Sequence, residues 1–286
     1  MTLIKALTLS ISLVFTLGLQ AASVWKVSNN QHSLYIAGTI HVLTPKDYPL
    51  AKEYDLAYEA SDKVIFETDM DAVSSPEFAQ KMMSQMMYNN GTTIDKVLKP
   101  DTYQALAVHL SSRQIPMQAF ASYKPSLLAI SLSVIELQAM GYTSEGVDTF
   151  FANKAKAEGK EQGWLETPDE QLAFIANMGG DDPNAIIEYT LKDIPKMPEM
   201  LAKLHSTWLA GDMQGMENVG ITPFKADYPS IYQDLLVTRN NNWLPKIVNM
   251  LNDQPTEFIL VGALHLSGPD SVLAKLIAQG YKIEKL

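Results

Sequence analysis

Cysteine is absent from the 286 residues of this chain. Without a thiol, the protein can form neither a disulfide nor a thiolate metal site, and no lipid can be attached at a cysteine after export. Any metal ion must therefore be held by imidazole and carboxylate groups. Imidazoles are also scarce, since the whole chain has five histidines. Each histidine that lies in a recognisable pattern is therefore informative.

Positive charge is in short supply. Lysine and arginine number 22 against 32 aspartates and glutamates, which gives a net charge of -10 at neutral pH. Neutralising the phosphates of a nucleic acid needs clustered lysine and arginine. We therefore expect no nucleic-acid partner, and anionic membrane surfaces are disfavoured for the same reason.

Long apolar runs are confined to the N-terminus. Residues 6–19 form an apolar run of fourteen residues, with Lys5 before it and the small residues Ala21 and Ala22 after it. A membrane span needs about twenty apolar residues. The pattern predicts a secretory signal peptide over residues 1–22, cleaved after Ala21 or Ala22, rather than an uncleaved anchor. We expect a periplasmic, possibly secreted, protein with no stable membrane insertion after cleavage.

The first part of the mature chain predicts a β-α-β unit. Residues 33–37 and 63–66 are short apolar strands, and residues 47–60 between them have the spacing of a helix. This order predicts parallel pairing of the two strands with a right-handed crossover.

The remaining pattern is mainly helical. Short strands are predicted at residues 160–165 and 257–261, and a further edge strand at residues 281–284. We therefore expect an α/β fold with a mainly parallel central sheet and a large helical insertion. The expected organisation is a single domain over residues 23–286, with the insertion at about 72–160 and 168–252.

Proline lies at or near the first turn of several predicted helices, where its missing N–H costs little. These helices are predicted at residues 76–88, 100–110, 125–140, 168–178 and 198–210. A longer amphipathic helix is predicted at residues 230–251, and we expect it to be broken or bent near Pro245.

Two of the predicted strands end in the same motif. Gly38-Thr39-Ile40-His41 follows the first strand, and Gly262-Ala263-Leu264-His265 follows the strand at residues 257–261. In open parallel sheets, ligands bind beyond the carboxyl ends of the strands. Glycine at that point allows a sharp turn and a close approach of backbone to a ligand. Both histidines are therefore predicted to lie at a binding site, with Gly38 and Gly262 as its structural turns.

Two further strand ends have carboxylates, Glu67 and Glu166. Two imidazoles and two carboxylates suit zinc, manganese, cobalt or iron, and three protein ligands leave one position open for water. The alternative is that each histidine is a surface residue and each glutamate caps the next helix. Spacing alone leaves both interpretations open.

Six segments distributed along nearly the whole mature chain form a larger pattern. They are Gly38-Thr39-Ile40-His41-Val42, Val64-Ile65-Phe66-Glu67, Gly146-Val147-Asp148, Leu165-Glu166-Thr167 with Gln171, Arg239-Asn240 with Trp243, and Val261-Gly262-Ala263-Leu264-His265-Leu266. In this order they resemble the TraB/PrgY/GumN family. The resemblance is specific, because no single motif has to support it.

This resemblance implies a metal or catalytic role for His41, Glu67 and His265. The family is similar to the animal Tiki proteins, described as metal-dependent proteases with paired Gly-x-x-His motifs and a key glutamate, and more distantly to erythromycin esterase. The implied cofactor is a divalent metal ion, and manganese, cobalt, zinc and iron are not distinguished.

Three other residues are predicted to serve the site. In the setting of this family, Arg239 is expected to face the site, where a guanidinium can stabilise an oxyanion. Lys124, just before Pro125, is a second candidate for that task, and Asn240 is predicted to contact substrate. The alternative for Arg239 is a solvated side chain or one paired with a surface acid.

Together these features predict a metal-dependent hydrolase that cleaves a peptide bond in a peptide or small secreted substrate. The metal would lower the pKa of a bound water, and Glu166 would take its proton if Glu67 is a ligand. Two alternatives remain: a non-catalytic protein that sequesters a secreted peptide, and a metal-independent esterase with His41 as the base. The sequence gives no oligomeric state.

Overall fold

The computed structural model describes residues 22–178 and 182–286. The predicted signal peptide and its cleavage after Ala21 or Ala22 lie outside the described residues, except for Ala22 itself. Across these two ranges, none of the helices combines the length and the apolar character that a membrane crossing requires.

Six strands in the described part of the chain form one sheet. They are β1 Val24–Ser28, β2 Ser33–Thr39, β3 Lys63–Phe66, β4 Glu161–Trp164, β5 Glu257–Gly262 and β6 Lys282–Lys285. Their order across the sheet is β4-β3-β5-β2-β1-β6. The strands β4, β3, β5 and β2 are parallel to one another, and β1 is antiparallel to both β2 and β6. The predicted mainly parallel sheet is confirmed, and β6 lies at its edge.

Helices fill the intervals between the strands. α1 Lys52–Glu59 connects β2 to β3, and α15 Val272–Ala278 connects β5 to β6. Between β3 and β4 lie α2 Met70–Val73, α3 Pro76–Met86, α4 Ile94–Val97, α5 Pro100–Ser112, α6 Pro125–Ala139 and α7 Val147–Glu158. Between β4 and β5 lie α8 Pro168–Ala176, α9 Pro183–Asp193, α10 Met197–Ala210, α11 Met213–Met216, α12 Thr222–Asp227, α13 Pro229–Tyr232 and α14 Arg239–Met250. The predicted large helical insertion is confirmed.

The central strand β5 is buried on both faces. Phe258 and Leu260 pack with Phe151 of α7 on one face of the sheet. Ile259 packs with Trp243 of α14 on the other face. This double burial explains why β5 is a continuous apolar run instead of an alternating one.

Several helix starts follow the local signals in the sequence. Proline occupies the first turn of α3, α5, α6 and α8, as predicted. At α8, the Thr167 side chain accepts from the backbone N–H of Glu170, and the Glu170 carboxylate accepts in return from the backbone of Thr167. This reciprocal pairing satisfies two N–H groups that a helix start would otherwise leave free.

The region of the predicted 230–251 helix differs from expectation in one respect. α14 runs through Pro245 without interruption, so the predicted break there is wrong. The irregularity lies earlier, where Gln233–Thr238 forms a π-helical segment directly before Arg239. A second π-helical segment, Glu217–Ile221, lies between α11 and α12. Such segments are rare and occur frequently at functional sites.

Candidate active site

The parallel strands bring the predicted site residues to one edge of the sheet. In the register of the sheet, Thr39 of β2 pairs with Gly262 of β5, and Phe66 of β3 pairs with Leu260 of β5. The backbone N–H of Glu166 donates to the carbonyl of Glu67, which continues the pairing of β3 with β4 beyond both strands. His41, Glu67, Glu166 and His265 therefore all follow strands that end side by side.

Arg239, the first residue of α14, is a buried cation at this edge of the sheet. Its Nη2 donates to Glu67 Oε2 at 2.5 Å and to Glu166 Oε1 at 2.5 Å, and its Nε donates to Glu166 Oε2 at 3.0 Å. Its Nη1 donates to Nε2 of His265 at 3.2 Å. Two carboxylates and one imidazole thus share a single guanidinium.

His265 is held by the helix behind it. Its Nδ1 donates to Asn240 Oδ1 at 2.6 Å, and Asn240 Nδ2 donates to the carbonyl of Asp270 at 2.9 Å. The ring of Trp243 packs against the imidazole, with 4.4 Å between the ring centroids. Burial lowers the pKa of His265 to about 3. The ring is therefore neutral, and its Nε2 accepts from Arg239 and lies 3.9 Å from Glu67 Oε1.

His41 is held by an aspartate. Its Nδ1 donates to Asp148 Oδ2 at 2.8 Å, and the hydroxyl of Thr39 donates to the other oxygen, Oδ1, at 2.9 Å. The side chain of His41 is 63% exposed, whereas that of Asp148 is 6% exposed. The Asp148 carboxylate raises the pKa of His41 to about 9. In this structure His41 is therefore a protonated imidazole at the surface of the site.

The two carboxylates have opposite pKa shifts. Burial raises the pKa of Glu67, but the positive charges around it, above all that of Arg239, outweigh burial and bring the value down to about 2. Glu67 Oε1 also accepts from the backbone N–H of Gly262 at 2.7 Å. For Glu166, burial dominates over Arg239 and raises the pKa. Glu67 is thus firmly ionised, and Glu166 holds a proton more readily.

Gly38 and Gly262 provide close approach instead of a turn. Gly38 lies inside β2, so the predicted turn there is wrong, and a Cβ on it would stand 3.0 Å from the Cβ of Ala263. Gly262 has φ -50° and ψ 132°, a conformation open to other residues. A Cβ on Gly262 would stand 3.3 Å from Glu67 Oε1 and 3.6 Å from His41 Nε2. The missing side chain lets the backbone at Gly262 lie close to both groups.

The donor groups fit a divalent ion in their chemistry. Both histidines use Nδ1 to bond an acceptor, Asp148 or Asn240, so their Nε2 atoms are on the side of the site, where that of His265 accepts from Arg239. Partners of this kind orient metal-ligating imidazoles. Within residues 22–178 and 182–286, however, no three histidine or carboxylate side chains are grouped closely enough to hold an ion. Arg239 supplies the positive charge there.

The structure does not bring every predicted residue into the site. Lys124 precedes α6, and its Nζ donates to the carbonyl of Gln85 at 2.6 Å. Both polar groups of the Asn240 side chain are engaged within the protein, by His265 and Asp270. The substrate contacts expected of Lys124 and Asn240 thus stay predictions. Arg239 does face the site, as predicted.

Two cavities meet at His41 and Arg239, which line both of them. One, of about 480 Å³, has mostly aliphatic walls, and we call it the apolar cavity. Its aliphatic walls include Ile40, Leu137, Leu201, Leu204, Leu236 and Leu264. The other, of about 420 Å³, carries polar groups as well, and we call it the mixed cavity. Its walls include Glu67, Thr68, Asp148, Thr149, Gln171 and Phe174.

Glu166 lines neither cavity. Besides Arg239, it is held by Trp243, whose Nε1 donates to Glu166 Oε2 at 3.0 Å, and by Gln171, whose Nε2 donates to Oε1 at 3.3 Å. All these contacts fix Glu166 behind the guanidinium. The predicted role of Glu166 as a base is therefore not supported by its position, whereas Glu67 does reach the mixed cavity.

Asp148 and Trp243 are site residues for which sequence analysis predicts no role. Asp148 belongs to the segment Gly146-Val147-Asp148, and Gly146 explains how α7 reaches His41. A Cβ on Gly146 would stand 2.3 Å from the backbone of His41, so only glycine permits this contact. The sequence signal that could have identified Asp148 is an acid in the first turn of a helix, directly after a glycine.

These features define the class: an α/β protein with a buried His-Glu-Arg cluster at the carboxyl edge of its parallel strands. The chain belongs to the TraB/PrgY/gumN family, whose family model matches residues 23–285. The resemblance predicted from its motifs is thus confirmed.

Two proteins of Danio rerio are related to it at greater distance. Metalloprotease TIKI2 is 23% identical over 304 aligned positions, which cover 87% of this chain and 58% of that protein. Metalloprotease TIKI1 is 22% identical over 318 positions, which cover 91% of this chain and 62% of that protein. The chain therefore spans less than two thirds of the length of these relatives.

Proposed function

We propose that this protein is a metal-dependent hydrolase that cleaves peptide bonds. The observation that carries the proposal is the convergence of His41, Glu67 and His265 beside Gly262. Two relatives named as metalloproteases, both at low identity, support it.

In this proposal, Nε2 of His41, Nε2 of His265 and the carboxylate of Glu67 would hold the ion, and His265 would give up the N–H that Arg239 donates to it. A divalent cation bound there lowers the pKa of a bound water and polarises a carbonyl. Because metal ligation requires a neutral imidazole, binding the ion releases the proton of His41.

Arg239 and Glu166 have supporting roles. Arg239 lines both cavities, so its guanidinium can stabilise negative charge that develops on a substrate oxygen. Glu166 fixes the guanidinium through two of its nitrogens. Of the two carboxylates, Glu67 therefore serves the chemistry directly, and Glu166 is a positioning residue.

The proposal includes the place of action and the type of substrate. The predicted signal peptide supports export to the periplasm, and a peptide or small secreted molecule is then the substrate. A net charge of -10 argues against a nucleic-acid ligand.

Metal content and peptide turnover, measured on the same preparations, test the proposal. We expect the wild-type protein to retain a divalent ion after dialysis and to cleave members of a peptide mixture, as read by mass spectrometry. The variants His41→Ala, Glu67→Ala and His265→Ala are each expected to lose both properties while keeping the circular dichroism spectrum. His32→Ala, a histidine at the turn before β2, is the matched control and should keep both. Full turnover by His265→Ala would overturn the metal mechanism.

A second candidate is a metal-independent hydrolase, which the pairing of His41 with Asp148 favours. With a pKa of about 9, His41 would then act as a general acid and not as the base that the sequence suggested. Turnover that persists in the presence of a chelator would support this candidate. An ion-loaded protein that binds peptides without cleaving any would indicate a sequestering protein.

A further inference from the structure

The apolar cavity has a construction that the proposed chemistry does not require. Its walls come from α6, α10, α11, α12, the second π-helical segment and the chain that follows β2 and β5. Met216 precedes the first π-helical segment, and Leu236 belongs to the second. A hydrolase could cleave its substrate without such a chamber.

One wall of this cavity depends on a glycine. A Cβ on Gly220, in the first π-helical segment, would stand 2.6 Å from Cδ2 of Leu264 and 3.1 Å from Cδ2 of Leu204. The segment therefore packs directly against two aliphatic wall residues. Dense packing of this kind gives the cavity a definite shape.

Few polar side chains line the apolar cavity. Besides His41, Arg239 and His265, its polar side chains are Thr39, Tyr142 and His205. The hydroxyl of Thr39 donates to Asp148, and Nε2 of His205 lies 2.8 Å from the carboxylate of Asp47. A charged group among the aliphatic walls, away from His41 and Arg239, would lose its hydration with little compensation.

The mixed cavity offers a contrast on the other side of Arg239. Thr68 is 3% exposed and lines it, and its hydroxyl has no partner within the described residues. Gln171 adds an amide to the same wall. Polar backbone of a bound chain therefore finds partners on this side.

We infer that the apolar cavity binds one aliphatic or aromatic side chain of a peptide, next to the bond held between His41 and Arg239, and thereby selects the substrate. This inference rests on the proposed hydrolase function. Burying a leucine or phenylalanine side chain in a preformed cavity raises affinity by about tenfold to a hundredfold over serine at the same position.

Equilibrium binding and cleavage of a peptide set test the inference. The set consists of soluble peptides of one length in which a single leucine, phenylalanine, serine or aspartate is moved through every position. We expect leucine or phenylalanine at one position to raise affinity at least about tenfold over serine. Aspartate at that position is expected to show no such gain.

Two variants of Leu204 change the cavity in opposite directions. Leu204→Trp fills it and should remove the gain from leucine or phenylalanine. Leu204→Ala enlarges it and should shift the preference from leucine towards phenylalanine. Leu209→Trp, on the same helix but 40% exposed and outside the cavity wall, is the matched control and should bind as the wild type does.

The outcomes separate this inference from the proposed function. Cleavage with no preference for an apolar side chain, or a folded Leu204→Trp protein that keeps the preference, would overturn the inference and leave the hydrolase standing. A preference for leucine or phenylalanine that Leu204→Trp abolishes, without cleavage at any metal concentration, would support the cavity and overturn the hydrolase.

Discussion

Arg239 Nη2 donates to Glu67 Oε2 at 2.5 Å, and both side chains are less than a tenth exposed. The same nitrogen donates to Glu166, so one guanidinium compensates two buried carboxylates. A metal ion bound by Glu67 would add positive charge beside Arg239. The charge balance of the site therefore depends on both cations together.

The first prediction concerns this balance. Arg239→Ala leaves Glu67 and Glu166 buried without their cation, so we expect the free energy of unfolding to fall by about 3–5 kcal/mol in the presence of a chelator. A divalent ion should restore part of this loss, because it replaces the missing charge. Urea denaturation with chelator and with added ion measures both effects.

The control for this prediction is an exposed ion pair. Lys203 pairs with Glu199 on the surface of α10 at 2.6 Å. Lys203→Ala should change the free energy of unfolding by no more than about 0.5 kcal/mol, with or without ion. If Arg239→Ala lowers the free energy of unfolding no more than Lys203→Ala does, the buried cluster does not need its cation.

The second prediction concerns the pairing of His41 with Asp148. Asp148→Asn removes the negative charge that is the main cause of the raised pKa of His41. In metal-free protein, the pKa of His41 should therefore fall from about 9 towards its ordinary value of 6.5. NMR titration of the His41 ring protons measures this value directly.

Asp47→Asn is the matched control for that titration, because Asp47 pairs with His205 on α10 instead. This substitution should leave the pKa of His41 at its wild-type value. An unchanged pKa of His41 in Asp148→Asn would mean that the two side chains do not pair in solution.

Much of the fold could be predicted, because its signals are local. Apolar runs ending in glycine or glutamate marked β2, β3 and β5, and proline marked the first turns of α3, α5, α6 and α8. Parallel pairing of the strands then followed from the β-α-β order. The convergence of His41, Glu67 and His265 at one edge was a consequence of that pairing.

The features that sequence reasoning missed depend on contacts distant in the chain. β1 Val24–Ser28 is a short stretch without a clear pattern, and it becomes a strand because β2 and β6 flank it. Likewise, α9 Pro183–Asp193 is held by α5 and α6 in a separate helical core. Asp148 reaches His41 because Gly146 lets α7 contact the backbone of His41. Local spacing in the sequence does not reveal this contact.

The third prediction compares alanine substitutions at Gly262 and Gly38. Gly262→Ala puts a methyl group between Glu67 and His41 in a conformation that alanine adopts without strain. We expect the free energy of unfolding to change by no more than about 1 kcal/mol, while metal retention is lost. Gly38→Ala instead places a Cβ 3.0 Å from the Cβ of Ala263. Such overpacking lowers the free energy of unfolding by about 1–3 kcal/mol.

Denaturation curves and metal analysis of the two proteins decide between these effects. For Gly38→Ala we expect lower stability, with the ion retained by the protein that remains folded. Should Gly262→Ala retain the ion as the wild type does, the space at Gly262 is not the metal site.

The last prediction concerns a buried carboxylate away from the site. Glu257 begins β5, is 4% exposed, and its Oε2 has no partner among the described residues. Burial, reinforced by the nearby Asp253, raises its pKa from 4.5 to about 7. Between these two pH values the folded state binds the proton more tightly than the unfolded state does. The contribution of Glu257 to stability is therefore full below about pH 4.5 and declines as the pH rises towards 7.

Glu257→Gln should remove this decline, because glutamine stays neutral at every pH in that window. The variant should therefore be more stable than the wild type at pH 8 and lose less stability between pH 5 and pH 7. Asp253→Asn should produce a smaller change in the same direction, since it removes one cause of the raised pKa and leaves burial in place. Urea denaturation at a series of pH values gives the slopes of all three proteins. A wild type and a Glu257→Gln variant with parallel slopes would mean that Glu257 is already ionised in the folded protein at pH 5.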